Sequence, residues 1–164
     1  MAELTQERLK ELLHYDPETG VFTWKMSTRK TKPGQTAGGK HTSGHVRISI
    51  DGKRYYAHRL AWMYINGYNP STQIDHRNVI RSDNSSSNLR EATHAQNCQN
   101  SSISRNNSSG FKGVTFSKAA NKWAAQISVN RKHIHLGLFL DPADAHLAYK
   151  KAATEYFGEF ARTE

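Results

Sequence analysis

The sequence predicts an α+β fold, and three stretches carry that expectation. "HVRISIDGKRYYAH" alternates apolar and polar residues on both sides of Asp51-Gly52. Asp-Gly supplies the positive φ values of a type I′ turn, so this is a hairpin. Further on, "FKGVTF", "KWAAQISV" and "KHIHLGLF" are three short strand-like runs with turns between them. "DPADAHLAYKKAATEYFGEF" then has the periodicity and end signals of a helix. Residues 109–161 therefore form a three-stranded antiparallel sheet with one packed helix.

The remaining elements follow in chain order. Thr5 caps a short helix whose Leu9, Leu12 and Leu13 share a face. "YDPETG" is a turn, punctuated by Pro17 and Gly20. "VFTW" is a strand, and residues 25–44, rich in Lys, Thr and Gly, form an exposed loop. "AHRLAWMYING" is a helix in which Leu60, Met63 and Tyr64 fall together and Gly67 suits the end. "TQID" is a short strand, and "NLREATHAQN" has the look of a helix beginning near Asn88. "CQNSSISRNNSSG" is polar and without periodicity, a linker with a boundary near residues 100–108. In the last helix Asp141 is the N-cap, Pro142 the first helical residue and Gly158 the stop. Its stripe of Ala145, Ala148, Tyr149, Ala152, Ala153 and Tyr156 lets it lie close on a sheet.

The 164 residues carry a formal charge of +9. A chain this basic usually meets a polyanion, although basicity also serves solubility alone. From Ser101 to Leu140 the basic residues are Arg105, Lys112, Lys118, Lys122, Arg131 and Lys132, with no Asp or Glu among them. Such a stretch suits a phosphate backbone. Cys98 is the single cysteine, which excludes an internal disulfide and a Cys-rich zinc site. No run of apolar residues is long enough to span a membrane, and "MAELTQERLKELL" lacks an apolar signal core. The expected location is the cytosol.

The chemistry concentrates in "IDHRNVIRSDNSSSNLREATHAQNCQN", Ile74 to Asn100. It offers a carboxylate, Asp75, an imidazole, His76, and two amides, Asn88 and Asn97. On a pleated strand Asp75 and His76 point to opposite faces. A bend just after Ile74 would bring both into one cleft. Asp and Asn oxygens suit a hard divalent ion such as Mg²⁺. A neutral histidine beside it can take a proton from water near neutral pH, and the ion can stabilise a departing oxygen. These are parts for phosphodiester hydrolysis. Taken alone, an Asp-His pair equally serves as a surface or capping feature, Asn88 as a plain N-cap, and Asn97 as a solvated amide.

"AHRLAW…G…P…IDH…N…RSDN…SNLREAT…QN…N" resembles the phage-type HNH endonucleases, a group that includes intron-encoded homing enzymes. The resemblance runs from "YDPETGVFTWK" through Asn100. It implies a ββα-metal nuclease finger that cleaves DNA in an infected bacterial host. By position, His76 resembles the general base, Asp75 and Asn97 the metal ligands, and Asn88 the asparagine that holds the loop carrying the base. One Mg²⁺ or Mn²⁺ per site, and no zinc, is implied. So are 5′-phosphate and 3′-hydroxyl ends. Two positions depart from the family. Val79 stands near where glycine is usual, and resists the positive φ glycine allows. Ser85 stands where arginine is common. His58 also matches the family pattern, as a phosphate contact or a packing residue. Arg59 and Arg90 are candidate phosphate contacts or solvated helix charges.

The tail, through "SGFKGV", "KWAAQI", "HLGLF" and "DPADAHLAYKKAATEYFGEFA", resembles the plant ethylene-response-factor (apetala-type) DNA-binding domain. That resemblance implies a sheet lying in the major groove with a helix behind it. By position, Lys112, Thr115, Ser117, Gln126, Ser128, His133 and His135 resemble the groove-facing set, with Lys118 as a further basic contact. Alternation agrees, since Ile127, Ile134 and Leu136 then face the helix. Trp123 is a core residue on this reading. The plant domains carry arginines and a tryptophan on this face that are replaced here, so the target sequence does not carry over.

The organisation expected is a nuclease domain over 1–100 with its finger core at about 56–100, a linker at 101–108, and a DNA-binding domain over 109–164. The function expected is a metal-dependent endonuclease acting on double-stranded DNA. The alternative is a non-catalytic DNA-binding protein derived from one. An RNA-binding role is disfavoured, because the tail lacks exposed aromatic platforms. One finger per chain leaves a monomer that nicks and a weak dimer that cuts both strands equally open.

Overall fold

The computed structural model describes residues 3–27 and 30–163. Met1, Ala2, Thr28, Arg29 and Glu164 lie outside the described residues. The chain forms two compact units that divide between His94 and Ala95.

The first unit opens with α1 (Gln6–Leu12), whose N-terminus is closed by the Thr5 hydroxyl accepting from the Arg8 amide at 3.2 Å. The helix stops one residue short of the expected face, because Leu13 begins β1 (Leu13–Tyr15). That strand pairs antiparallel with β2 (Phe22–Trp24) around the predicted turn. Leu9, Leu13 and Phe22 are fully buried between these elements.

Next come β3 (Gly39–Lys40), β4 (Val46–Ile50) and β5 (Lys53–Tyr56), in one antiparallel sheet. Ile50 pairs with Lys53 across the predicted two-residue turn, where Asp51 and Gly52 both take positive φ, +48° and +80°. Residues 25–44 are not wholly a loop. Thr36 bridges to Thr23, Ala37 is buried, and β3 forms on β4. α2 (Ala57–Asn66) follows directly and ends at Gly67 in the left-handed region, as its sequence indicates. Leu60 and Ala61 of α2 join Ile48, Ile50, Leu9, Leu13 and Phe22 in one core.

β6 (Gln73–His76) and β7 (Leu89–Ala92) then form an antiparallel hairpin. Here the sequence reading is corrected: "NLREATHAQN" is not one helix. It divides into a short 3₁₀ turn over Ser86–Asn88, strand β7, and a six-residue helix α3 (His94–Gln99). Pairing with β6 outweighs local helix propensity, and Leu89 and Ala92 are buried by it. No continuous helix joins Asn88 to Asn97.

The second unit contains β8 (Val114–Ser117), β9 (Lys122–Val129), β10 (Lys132–Phe139) and α4 (Pro142–Phe157). The strands are antiparallel in the order β10-β9-β8. Asp141 caps α4, accepting from the Ala143 amide at 2.6 Å, with Pro142 at its start. The helix buries Ala145, Tyr149, Ala152, Ala153 and Phe157; Tyr156, expected in that stripe, is exposed and Phe157 takes its place. Val114, Ala125 and Ala145 form the core, with Trp123 packed against it.

Candidate functional site

The β6–β7 hairpin places the chemistry. Pairing is regular from Gln73↔Ala92 to His76↔Leu89, with no bulge. The bend expected after Ile74 is therefore absent. Regular pleating sends Asp75 and His76 to opposite faces of the strand. Asp75 lies directly across from Arg90, and the two are buried as an ion pair. Arg90 reaches the Asp75 Oδ2 with Nη2 at 2.8 Å and Nε at 2.9 Å. Such charge-assisted bonds fix the carboxylate's orientation. Arg90 is thus not a solvated helix charge.

His76 turns instead toward a group of rings. His58, at the start of α2, lies 5.2 Å away between ring centroids, and His45 lies 5.8 Å away. His45 and His58 are 5.1 Å apart, and Tyr56 stacks on His58 at 5.4 Å. Burial pushes all three imidazoles below their ordinary pKa. His45 falls to about 4 and His58 to about 3, each depressed further by its histidine neighbours. For His76 burial again dominates, opposed by its hydrogen bond to Asn84 and by the nearby Asp75 and Asp83 charges. His58 Nδ1 is buried without a hydrogen-bond partner. Leaving such an atom unsatisfied costs about 1–3 kcal/mol.

The tautomer of His76 follows from Asn84. The Asn84 Nδ2 donates to the Ser82 carbonyl at 3.2 Å, which turns Oδ1 toward His76 Nε2, 3.3 Å away. An amide oxygen only accepts, so Nε2 carries the proton and Nδ1 is the basic nitrogen. Asn84 is itself almost fully buried, and its carbonyl accepts from Tyr15 Oη at 2.7 Å. "RSDN" includes Asn84, but nothing in that string shows its side chain turning onto the histidine.

Asn88 spans the loop between the strands. Its Oδ1 accepts from the Asn78 amide at 3.0 Å and its Nδ2 donates to the Asp83 carbonyl at 2.8 Å. The loop is further closed by Asn78 Nδ2 on Asp83 at 2.6 Å and by Ser85 Oγ on Asp83 at 2.7 Å. Ser85 is therefore an internal loop residue. Val79 accepts φ +54° at the loop's bend, with its amide on the His76 carbonyl at 2.9 Å.

Asn97 lies in α3, on the second unit's side of the division. No group of three or more His, Cys, Asp or Glu able to hold a metal occurs among the described residues. Asp75 is a carboxylate and Asn97 an amide, and oxygen donors of these kinds suit a hard ion that keeps several waters.

The remaining candidates separate into two groups. Arg59 closes its own loop, with Nε on Asn69 at 3.0 Å, Nη1 on the Thr72 carbonyl at 3.2 Å and a further bond to the Pro70 carbonyl. Lys112 donates to the carbonyls of Gln99 and Ser101 at 2.7 and 2.6 Å, and burial, aided by Arg162, lowers it to about 8. These two cations serve internal contacts. By contrast Thr115, Lys118, Gln126, Ser128, His133 and His135 are exposed, with Ser117 half-buried. Register sets Gln126 opposite His135 and Ser128 opposite His133, on the face away from buried Ile127. The Ser128 hydroxyl and His133 Nδ1 are 2.8 Å apart.

Compared with known proteins, residues 55–99 match a family model described as HNH endonuclease. No curated protein matches. A solved structure described as "DNA binding and cleavage by the HNH homing endonuclease I-HmuI" is similar at 21% identity, over 90% of this chain and 78% of that one, with a TM-score of 0.42. No helix among the described residues is long and apolar enough to cross a membrane.

Proposed function

We propose that this chain is a metal-dependent DNA endonuclease of the HNH type. The observation that carries the reading is His76: a buried imidazole whose pKa burial lowers and whose tautomer Asn84 sets, next along the strand from the buried carboxylate Asp75, inside the stretch that matches the HNH endonuclease model. His76 Nδ1 takes a proton from the water whose oxygen attacks phosphorus. The bond from phosphorus to the 3′ oxygen breaks, and that oxygen takes a proton from solvent. Asp75, oriented by Arg90, and Asn97 would hold a Mg²⁺ or Mn²⁺ ion. When bound, the ion supplies charge stabilisation for the departing oxygen. Asn88 keeps the loop closed so that His76 stays at its post, and the His58 ring packs 5.2 Å from it.

Double-stranded DNA is the substrate on this reading. The exposed face of β8–β10, with Thr115, Ser117, Lys118, Gln126, Ser128, His133 and His135, lies against the duplex in the manner of an ethylene-response-factor domain. Gln126 is placed to read adenine. Asp75→Asn and Asn88→Ala in a supercoiled-plasmid assay, with Mg²⁺ or with EDTA, test the mechanism. Cleavage by the wild type in Mg²⁺ alone, reduced at least a hundredfold in Asp75→Asn, is the expected outcome, since ligands of this kind act mainly on the transition state. Cleavage that continues in EDTA would remove the metal from the account.

A further inference from the structure

His45 lies outside the stretch matching the HNH model, immediately before β4, yet its ring stands beside His76. Its place is secured at both ends. The turn from His41 to His45 is closed by the His41 amide on the His45 carbonyl at 2.7 Å and the Gly44 amide on the His41 carbonyl at 2.8 Å. Within it, the Ser43 hydroxyl lies 3.0 Å from His41 Nδ1 and 3.1 Å from His45 Nδ1. Arg81, on the loop that follows His76, then donates from Nη1 to the Ser43 carbonyl at 2.9 Å. That bond ties the β3–β4 turn to the β6–β7 loop. On its other side His45 meets Tyr56, 5.3 Å between centroids, and His58.

We propose that His45 is a positioning residue of the nuclease site: with His58 it forms a wall of imidazoles that fixes the His76 ring, and Arg81 fixes His45 by holding the turn that carries it. This rests on the reading of His76 as the base. The physical reason is packing. His76 is the last residue of a four-residue strand, and its Nε2 bond to Asn84 fixes one edge of the ring. The ring planes of His58 and His45 lie at 76° and 55° to that of His76. These contacts from two other elements oppose rotation about the side-chain bonds. A base displaced by about an ångström can lose on the order of a hundredfold in rate.

The test uses the full chain carrying His45→Ala, His45→Phe and Arg81→Ala, with two readouts. The first is the imidazole nitrogen and carbon-bound proton spectrum of His76, identified by its loss in His76→Ala. The second is plasmid cleavage resolved into kcat and KM. His45→Ala and Arg81→Ala should broaden or shift the His76 ring signals. They should lower kcat by roughly tenfold or more while KM stays within about twofold. His45→Phe, which keeps a flat ring in the wall, should restore most of both. Unchanged His76 signals together with an unchanged kcat in His45→Ala overturn the proposal. So does a loss confined to KM. If His45→Ala does not fold, His45→Phe and Arg81→Ala decide: native-like signals in the first and disturbed ones in the second support the wall, and undisturbed signals in Arg81→Ala refute the strut. A wild type that cuts no DNA refutes the nuclease reading, and with it His45's catalytic purpose. The ring signals then show only whether the packing exists.

Discussion

Val79 holds φ +54° at the bend just after the candidate base. A β-branched residue in the left-handed region is strained, by about 1–2 kcal/mol. Val79→Gly removes that strain but adds unfolded-state freedom, worth about 0.5–1 kcal/mol the other way. A net gain of about 0.5–1 kcal/mol in urea denaturation is expected, and a loss would show that the valine side chain contributes packing that outweighs its backbone. The histidine cluster gives a second prediction. His58 and His45 have folded pKa values depressed to about 3 and about 4 from an ordinary 6.5. Between those values and 6.5 the unfolded chain binds more protons than the folded one, so stability rises with pH there. It is fully present above about 6.5 and declines as pH falls toward 4. Thermal melts of His58→Phe, which keeps the ring without the proton, should show a shallower decline over that window than the wild type. Identical slopes would place the buried histidines outside the acid sensitivity. The shift at His76 has the same direction, so the acid limb of kcat/KM should have its midpoint below the ordinary 6.5 of a histidine.

The β6–β7 hairpin is the element on which the site depends, and Arg90 is its internal strut. Arg90→Ala removes the cation that pairs with the buried Asp75 carboxylate, and about 3–5 kcal/mol of stability should be lost. A loss under 1 kcal/mol would mean that water reaches the carboxylate. Behind the loop, Gly20 sits at φ +71°, where an added Cβ would lie 2.3 Å from the Asn84 carbonyl carbon. Gly20→Ala should therefore disturb the loop that turns Asn84 onto His76, visible in the His76 ring signals. At the scale of elements much of the first unit could be read in advance. "TQID" is strand-like, Asp51-Gly52 requires its turn, and Gly67 ends its helix, each through local backbone chemistry. β7 could not be read, because Leu89–Ala92 is a strand only by virtue of its partner β6. Nor could Arg90's burial against Asp75, which depends on a cross-strand register that the loop sets. His45 was invisible for a stronger reason: no spacing in the sequence links it to His76, and only the fold of another sheet brings it there.

At the scale of the whole chain the charge is +9, and the C-terminal unit carries an acid-free stretch from Ser101 to Leu140. Its strands and capped helix were legible because Asp141, Pro142 and Gly158 mark the helix ends and the alternation on β9 and β10 marks the buried face. The sequence reads Lys112 as an outward contact and does not show that its ammonium meets two carbonyls. A protein contacting several phosphates should lose affinity for duplex DNA steeply with salt, by about a thousandfold or more between low and physiological ionic strength. A flat response would leave the basic charge to solubility. The measurement that bears most directly on the central claim pairs cleavage with binding for wild type and His76→Ala. Supercoiled plasmid and a diverse genomic DNA, each with Mg²⁺, report cleavage, and fluorescence anisotropy on duplex DNA reports affinity. Mg²⁺-dependent cutting by the wild type is expected, with none by His76→Ala and Kd values within about threefold of each other. Cutting by His76→Ala at the wild-type rate would contradict that claim.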